Sequence, residues 1–513
     1  MKKLLGILVL GLLWCNISYA SSHSMLNRFN HWLYENGYHQ YLNLNPDIGL
    51  YRATAKNKKD PLTSIARTHI NSKATAEVDA MEACELFFKA QGKEMQKACY
   101  IQNVVEVNPC ETEPKYSQAW YSNRCDKFQG SNNLKISLNN KKNNLAYNAN
   151  PNRDTLIYYL WNYAYRNTDN YEVKPSKKPY EFKFNLIEDK FVKKQMKTKG
   201  IMSYLYFQEG QILIDEISPK ERLGEFISNE TKFYSMSMGK SVTSYILGHA
   251  ICGGYIDGVD ARINDWPPIE NTLYHNQKLI DFLNMSTGDQ KYINEYTSQH
   301  GTLLSNPSYG FEDNSIFLTA RLLKDSVKSK SRYYYNGFMT QIIINYIKYK
   351  TGDDYKKLLN KIFMDKVKIK YSVLPTFSNS YQPIKNGNLH PNLRVSRYDW
   401  LRIAKAIMDD YQNDTCVGKY LKEIHKRRVP KNYNENKSEP QFNRTKSYGG
   451  QFHMDYPGLK DKVVFGMGGY GGNAILIDVE DSRIVVLNSL HYNNKRFKYS
   501  HTKLLIDPIK NGK

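Results

Sequence analysis

The chain has 513 residues, 41% hydrophobic and 13% aromatic, with 72 Lys+Arg against 50 Asp+Glu for a formal charge of +22. That length and apolar content suit two or three domains with a sizeable core, and exclude disorder, collagen and coiled coil as the main class. No apolar run of about eighteen residues follows the leader, which excludes a polytopic membrane protein.

Lys2-Lys3, the apolar run Leu4 to Trp14 and the small-residue end at Ser18-Tyr19-Ala20 read as a signal peptide over residues 1–20. A mature chain starting near Ser21 is therefore expected to be periplasmic or secreted, with a charge of +20 and no transmembrane segment. Lysines are scattered rather than packed in one stripe, and Tyr, Asn and Lys are all abundant. The charge thus reads as compositional drift, with no nucleic-acid partner.

Residues 21–150 form an N-terminal accessory region without a motif for chemistry. Within it, 21–60 show little periodicity. Residues 74–99 predict a helix, with Ala76, Ala80, Cys84, Phe87 and Phe88 on one face. An Asn- and Lys-rich stretch at 130–153 reads as a linker. Six cysteines lie beyond the leader, an even number that suggests disulfides in an exported chain. Cys84–Cys99 and Cys110–Cys125 are the simplest local choice among fifteen pairings, and Cys252 reads as a buried free thiol. With no CxxC pair and no His cluster at ligand spacing, neither metal nor cofactor is expected.

The texture changes near 180, where a second domain spanning 180–513 begins. Gly200 to Asp215 reads as a β-hairpin turning at Glu209-Gly210. A helix is predicted from Ser237 to Cys252, with Val242, Ile246, Leu247 and Ala250 on its apolar face and Gly253-Gly254 as its stop. Residues 275–375 are mainly helical, a further helix covers 396–411, and strands follow at 446–454, 461–466, 473–479 and 483–489. A closing helix is predicted near 497–507. Strands first, helices between and strands last imply an α+β fold: one antiparallel sheet closed by its two ends, flanked by helices, with an inserted helical region.

The sharpest local feature is Ser237-Met238-Gly239-Lys240. Three residues apart at a helix start, Ser237 and Lys240 share one face. A serine hydroxyl needs a base beside it, and a lysine serves as one when desolvation or a nearby positive charge keeps it neutral. The positive end of the helix dipole works in that direction. A second S-x-x-K match, Ser500 to Lys503, reads as chance, and the bland alternative for Ser237 is an N-cap beside a solvated Lys240.

From about 185 to 505 the sequence resembles the serine β-lactamase-like hydrolases, which include class C β-lactamases, D-alanyl-D-alanine carboxypeptidases, family VIII esterases and aminohexanoate-oligomer hydrolases. The resemblance rests on Ser237 to Lys240, on Gly254-Tyr255-Ile256-Asp257 followed by Asn264-Asp265-Trp266-Pro267, and on Leu283-Asn284-Met285-Ser286-Thr287-Gly288. It continues through Tyr334-Tyr335-Asn336, Ser396-Arg397-Tyr398-Asp399-Trp400 and Met467-Gly468-Gly469-Tyr470. It implies Ser237 as nucleophile, Lys240 and Tyr334 as general base and acid, and Asn336 as a substrate or lysine contact. The N–H groups of Ser237 and Tyr470 would form the oxyanion hole, and Gly468 and Gly469 would let a substrate carbonyl approach the strand.

The sequence departs from this pattern at Met467, where the family carries a Lys or His that binds a substrate carboxylate. Met467 therefore points to an ester or amide without that carboxylate. The expected function is an exported serine hydrolase acting on a small-molecule or peptide-like substrate. Two alternatives stand beside it: a non-catalytic envelope protein that contacts cell wall or another anionic polymer, and a β-lactamase or D-Ala-D-Ala carboxypeptidase proper.

Overall fold

A computed structural model describes residues 50–70, positions 77, 80, 81, 84, 85 and 88, and residues 98–107, 171–290, 326–329, 333–377, 389–431, 445–490 and 498–513. The leader, Cys110, Cys125 and the 130–153 stretch lie outside these residues.

In the accessory region, β1 (Leu50–Asn57), β2 (Asp60–Ile70) and β3 (Cys99–Val107) form an antiparallel sheet in the order β2-β1-β3. Ala53 and Ala55, on one side of β1, are buried with Ala80, Cys84 and Phe88. The period-2 pattern is there, but its apolar positions are alanines, which are weak strand formers, so the sequence reading missed it. Residues 77 to 88 are helical where described, whereas Cys99 opens a strand, so the predicted helix ends before 98. The Cys84–Cys99 disulfide ties the two together.

The second region starts with β4 (Lys183–Phe184) and α1 (Lys190–Thr198). β5 (Ile201–Gln208) and β6 (Gln211–Ile217) then form the predicted hairpin. Glu209 at φ +49 and Gly210 at φ +86 supply the left-handed pair that a tight two-residue turn needs. β7 (Lys232–Tyr234) leads into α2 (Met238–Cys252), followed by α3 (Leu279–Leu283), α4 (Gly337–Thr351) and α5 (Tyr355–Asn360). Next come β8 (Leu374–Phe377), β9 (Leu389–Ser396), α6 (Arg397–Gln412) and α7 (Cys416–Lys426). The chain finishes with β10 (Val429–Pro430), β11 (Ser447–Gly449), β12 (Phe452–Met454), β13 (Val464–Gly469), β14 (Asn473–Asp478), β15 (Arg483–Ser489) and α8 (Asp507–Asn511).

The main sheet has the order β10-β11-β12-β13-β14-β15-β5-β6-β4. β15 pairs with β5, Val485 opposite Tyr206, so the late strands close onto the early hairpin as the sequence implied. All its pairings are antiparallel except the two-residue edge strand β4 on β6. Alternation along β5 serves two cores. Leu205 and Phe207 join the larger one with α2, α4, α6 and α7, while Tyr204 and Tyr206 join a smaller one with α1 and residues 499–509. This is the expected α+β architecture.

Three details differ from expectation. The predicted strand at 446–454 is two strands joined at Gly450 and Gln451, both left-handed. A second sheet, β7-β9-β8, was not foreseen, because Pro391 argues against a strand at 389–396. Pro391 is tolerated because it has no cross-strand partner in either pairing of β9. Finally, Cys252 is not a free thiol: it is bonded to Cys416, 164 residues away. α2 and α7 lie side by side, with Ser244 Oγ 2.8 Å from Tyr420 Oη, and this contact brings the two cysteines together.

The start of α6 shows why Ser396 and Asp399 occur three apart. Ser396 caps the helix, accepting from the Asp399 N–H. The Asp399 carboxylate is fully buried, accepts the N–H groups of Lys370 and Tyr371, and pairs with Arg402 at 3.0 Å. Asp399→Ala leaves those donors and a buried guanidinium unpaired. It is expected to cost about 3 kcal/mol, read as a lowered denaturation midpoint.

Candidate active site

β9 dictates the backbone entering α2. Buried Ser235 donates its N–H to the Leu393 carbonyl at 2.8 Å, and its Oγ accepts from the Leu393 N–H at 3.1 Å. Met236 then takes a left-handed turn at φ +48. A Cβ on Gly239 would stand 2.2 Å from the Pro391 carbonyl oxygen, so only glycine fits where the helix crosses β9. That contact accounts for the third residue of Ser237-Met238-Gly239-Lys240.

Ser237 occupies the N-cap position, yet its hydroxyl caps nothing. Its Oγ instead accepts a hydrogen bond from Lys240 Nζ at 3.0 Å. The Lys240 ammonium also lies 5.2 Å from the centre of the Tyr335 ring, within cation–π range. Tyr335 stacks on His453, with ring centres 6.1 Å apart and planes 20° apart. Lys431 Nζ is 2.9 Å from His453 Nδ1. An ammonium only donates, so Nδ1 is the acceptor. Burial, with the charges of Lys431 and Lys240, holds the His453 imidazole well below its usual pKa and therefore neutral at neutral pH.

Tyr334 is buried in the larger core, its N–H donating to the Met285 carbonyl at 2.9 Å. Met285 belongs to the Leu283 to Gly288 stretch and is left-handed at φ +51, which turns that carbonyl toward the tyrosine segment. Asn336 is buried too, and its Oδ1 caps α4 by accepting the Phe338 N–H at 2.8 Å. Gln451 knits these parts together. Its Nε2 donates to the carbonyls of Phe282 and Leu283, its Oε1 accepts from Thr340, and its own carbonyl accepts from Ser241. One side chain and its backbone thus align α2, the end of α3, α4 and the turn between β11 and β12.

β13 brings the glycine-rich element to the same place. A Cβ on Gly469 would stand 2.8 Å from the Ser235 carbonyl oxygen and 3.3 Å from Met236 Cβ, so this strand end lies against the turn carrying Ser237. Gly468 pairs with Ala474 in the sheet. Tyr470 follows, its side chain 41% exposed and its carbonyl held by Asn473 Nδ2 at 2.9 Å. Met467 is fully buried within the larger core. The second S-x-x-K match lies elsewhere: Lys503 covers the Phe191 ring beside α1.

Tyr335, His453, Lys431, Ser235 and Gln451 were not foreseen. Tyr335 stood inside a quoted motif, whereas His453 and Lys431 reach the cluster only through the pairing of β10, β11 and β12. Among the described residues no group of three His, Cys, Asp or Glu is placed to hold a metal ion, and no helix is long and apolar enough to cross a membrane.

No protein-family model and no curated protein matches the chain. Solved structures do resemble it. A Bacillus anthracis protein described as a 6-aminohexanoate-dimer hydrolase superposes with a TM-score of 0.51 at 14% identity, covering 72% of this chain and 97% of its own. A D-stereospecific amidohydrolase from Streptomyces sp. gives 0.43 at 14% identity, over 63% of this chain and 100% of its own. A penicillin-binding protein from Bacillus halodurans gives 0.42 at 13% identity, over 60% and 97%. The chain has the fold of the serine β-lactamases and penicillin-binding proteins.

Proposed function

We propose that the protein is a serine hydrolase that cleaves an ester or amide through an acyl-enzyme on Ser237. The observation that carries this reading is the 3.0 Å contact between Ser237 Oγ and Lys240 Nζ, with the hydroxyl spared from capping. Once its ammonium has given up a proton to solvent, Lys240 takes the Oγ proton as Oγ attacks the substrate carbonyl carbon. The carbonyl oxygen becomes an oxyanion that receives the N–H groups of Ser237 and Tyr470. Collapse breaks the bond to the alcohol or amine, which leaves with a proton returned through Lys240 or Tyr334. Water then attacks the acyl carbon, giving a proton to Lys240, which returns it to Ser237 Oγ as the acyl bond breaks and the free acid leaves. In this scheme Tyr335 holds Lys240, and Asn336 contacts the substrate or Lys240.

Met467 sets the substrate class. A buried thioether offers no charge to a carboxylate, so the favoured substrate lacks one beside the scissile bond. Residues 1–20, read as a signal peptide, favour a reaction outside the cytoplasm. A panel of p-nitrophenyl esters, a chromogenic cephalosporin and a D-Ala-D-Ala peptide tests this reading. Ester turnover with little or no cephalosporin and peptide cleavage is expected. Fast cephalosporin cleavage without ester turnover would reverse the assignment of Met467.

A further inference from the structure

α1 carries Lys190, Lys193, Lys194 and Lys197 at i, i+3, i+4 and i+7, so all four fall on one stripe of the helix. All four are exposed, and Val192, Gln195 and Met196 are buried on the opposite side. Along the sequence the lysines are scattered, whereas the helix gathers these four. Lys503 and Lys510 are exposed on the C-terminal segment, whose Leu504, Leu505 and Ile509 share a core with Val192 and Met196. The acids facing this surface are few. Glu188 pairs with Lys193 at 3.2 Å, Asp189 caps α1 and pairs with Lys513, and half-buried Glu216 lies near enough to Lys193 to feel its charge.

Immediately before α1, at the open edge of the sheet, Leu186 and Ile187 are 59% and 42% exposed, while Phe184 turns to the other face, its ring edge-on to Tyr398 at 6.4 Å. Two adjacent large apolar side chains at such a position have a cost in water that a soluble domain normally avoids. The surface lies across the sheet from α2, because α1 packs on the Tyr204 and Tyr206 side of β5 and α2 on the Leu205 and Phe207 side.

We propose that the Lys190–Lys197 stripe together with Leu186 and Ile187 is a docking face for an anionic lipid bilayer. A soluble polyanion needs only the lysines. A bilayer takes both parts, the ammonium groups at the headgroup level and the apolar side chains just below it. Docking on this face leaves the Ser237 side of the sheet turned away from the membrane.

The test is co-sedimentation of the full chain with phosphatidylglycerol–phosphatidylcholine vesicles and with pure phosphatidylcholine vesicles, beside binding to dextran sulfate. Binding to the anionic vesicles alone, weakening as salt is raised, is expected. Changing the four lysines to Glu is expected to lower it by about a hundredfold or more. Changing Leu186 and Ile187 to Ser is expected to lower vesicle binding by about tenfold or more and leave dextran sulfate binding unchanged. All six side chains are on the surface, so parental melting midpoints are expected, and Lys→Gln changes replace the Glu set if that midpoint falls. Three results overturn the proposal: no binding to the anionic vesicles, undiminished binding by the lysine variant, or undiminished binding by the serine variant. The last would make the face a polyanion site.

Discussion

Lys240→Ala is expected to lower ester turnover by about a hundred- to ten-thousand-fold while the melting midpoint stays close to the parent's. The reason is local. Lys240 Nζ is the group placed 3.0 Å from Ser237 Oγ, and a hydroxyl without an adjacent base is a poor nucleophile. The side chain is half-buried and lies over Tyr335, so its removal takes away the base and little packing. Lys240→Arg is not expected to rescue the loss. A guanidinium stays charged throughout the working pH range and cannot accept the serine proton. Tyr335→Leu separates positioning from chemistry. It removes the ring that favours the charged amine, so the limb on which kcat/KM rises with pH is expected to move to lower pH with the base still present. An unmoved profile would assign Tyr335 to packing alone.

Gly239→Ala is expected to cost about 1–3 kcal/mol of stability and most of the activity. The added methyl would meet the Pro391 carbonyl oxygen at 2.2 Å and Ser235 Oγ at 2.9 Å. The first of these is backbone, so the start of α2 must move away from β9. Such a shift carries Ser237 and Lys240 with it, and displacements of about 1 Å weaken catalysis severely. Gly337→Ala is the control. A Cβ there meets open space within 4 Å, and it opens α4, where alanine is the better helix former, so stability is expected to hold or rise slightly. Equal losses in the two variants would show that the Gly239 contact is not what fixes the site.

The parts legible in the sequence are those whose pattern is local. The β5–β6 hairpin announced itself through two apolar runs either side of Glu209-Gly210, and α2 through its apolar face and its glycine stop. The closing of the late strands onto β5 followed from the order of elements, since strands at both ends of a domain find neighbours most readily in one sheet. The Ser237–Lys240 contact was legible because one helical turn fixes it.

What stayed hidden depends on distance along the chain. Cys252 and Cys416 meet because α2 and α7 pack, a fact absent from the spacing of either cysteine. β9 was masked by Pro391, although its contacts with Ser235 and Gly239 shape the nucleophile turn. The Lys240, Tyr335, His453 and Lys431 cluster joins four separate segments, and nothing in any one of them marks it. The stripe on α1 escaped notice for a different reason: lysine is common throughout this chain, so a regular spacing of four does not stand out until the helix is seen.

Reaction with a fluorophosphonate probe, followed by mass spectrometry of the labelled peptide, asks most directly whether one serine has been made reactive by its lysine neighbour. A single adduct on the peptide containing Ser237, absent from Ser237→Ala and strongly slowed in Lys240→Ala, is the predicted result. An adduct on another residue, or labelling that persists in Ser237→Ala, would contradict the account.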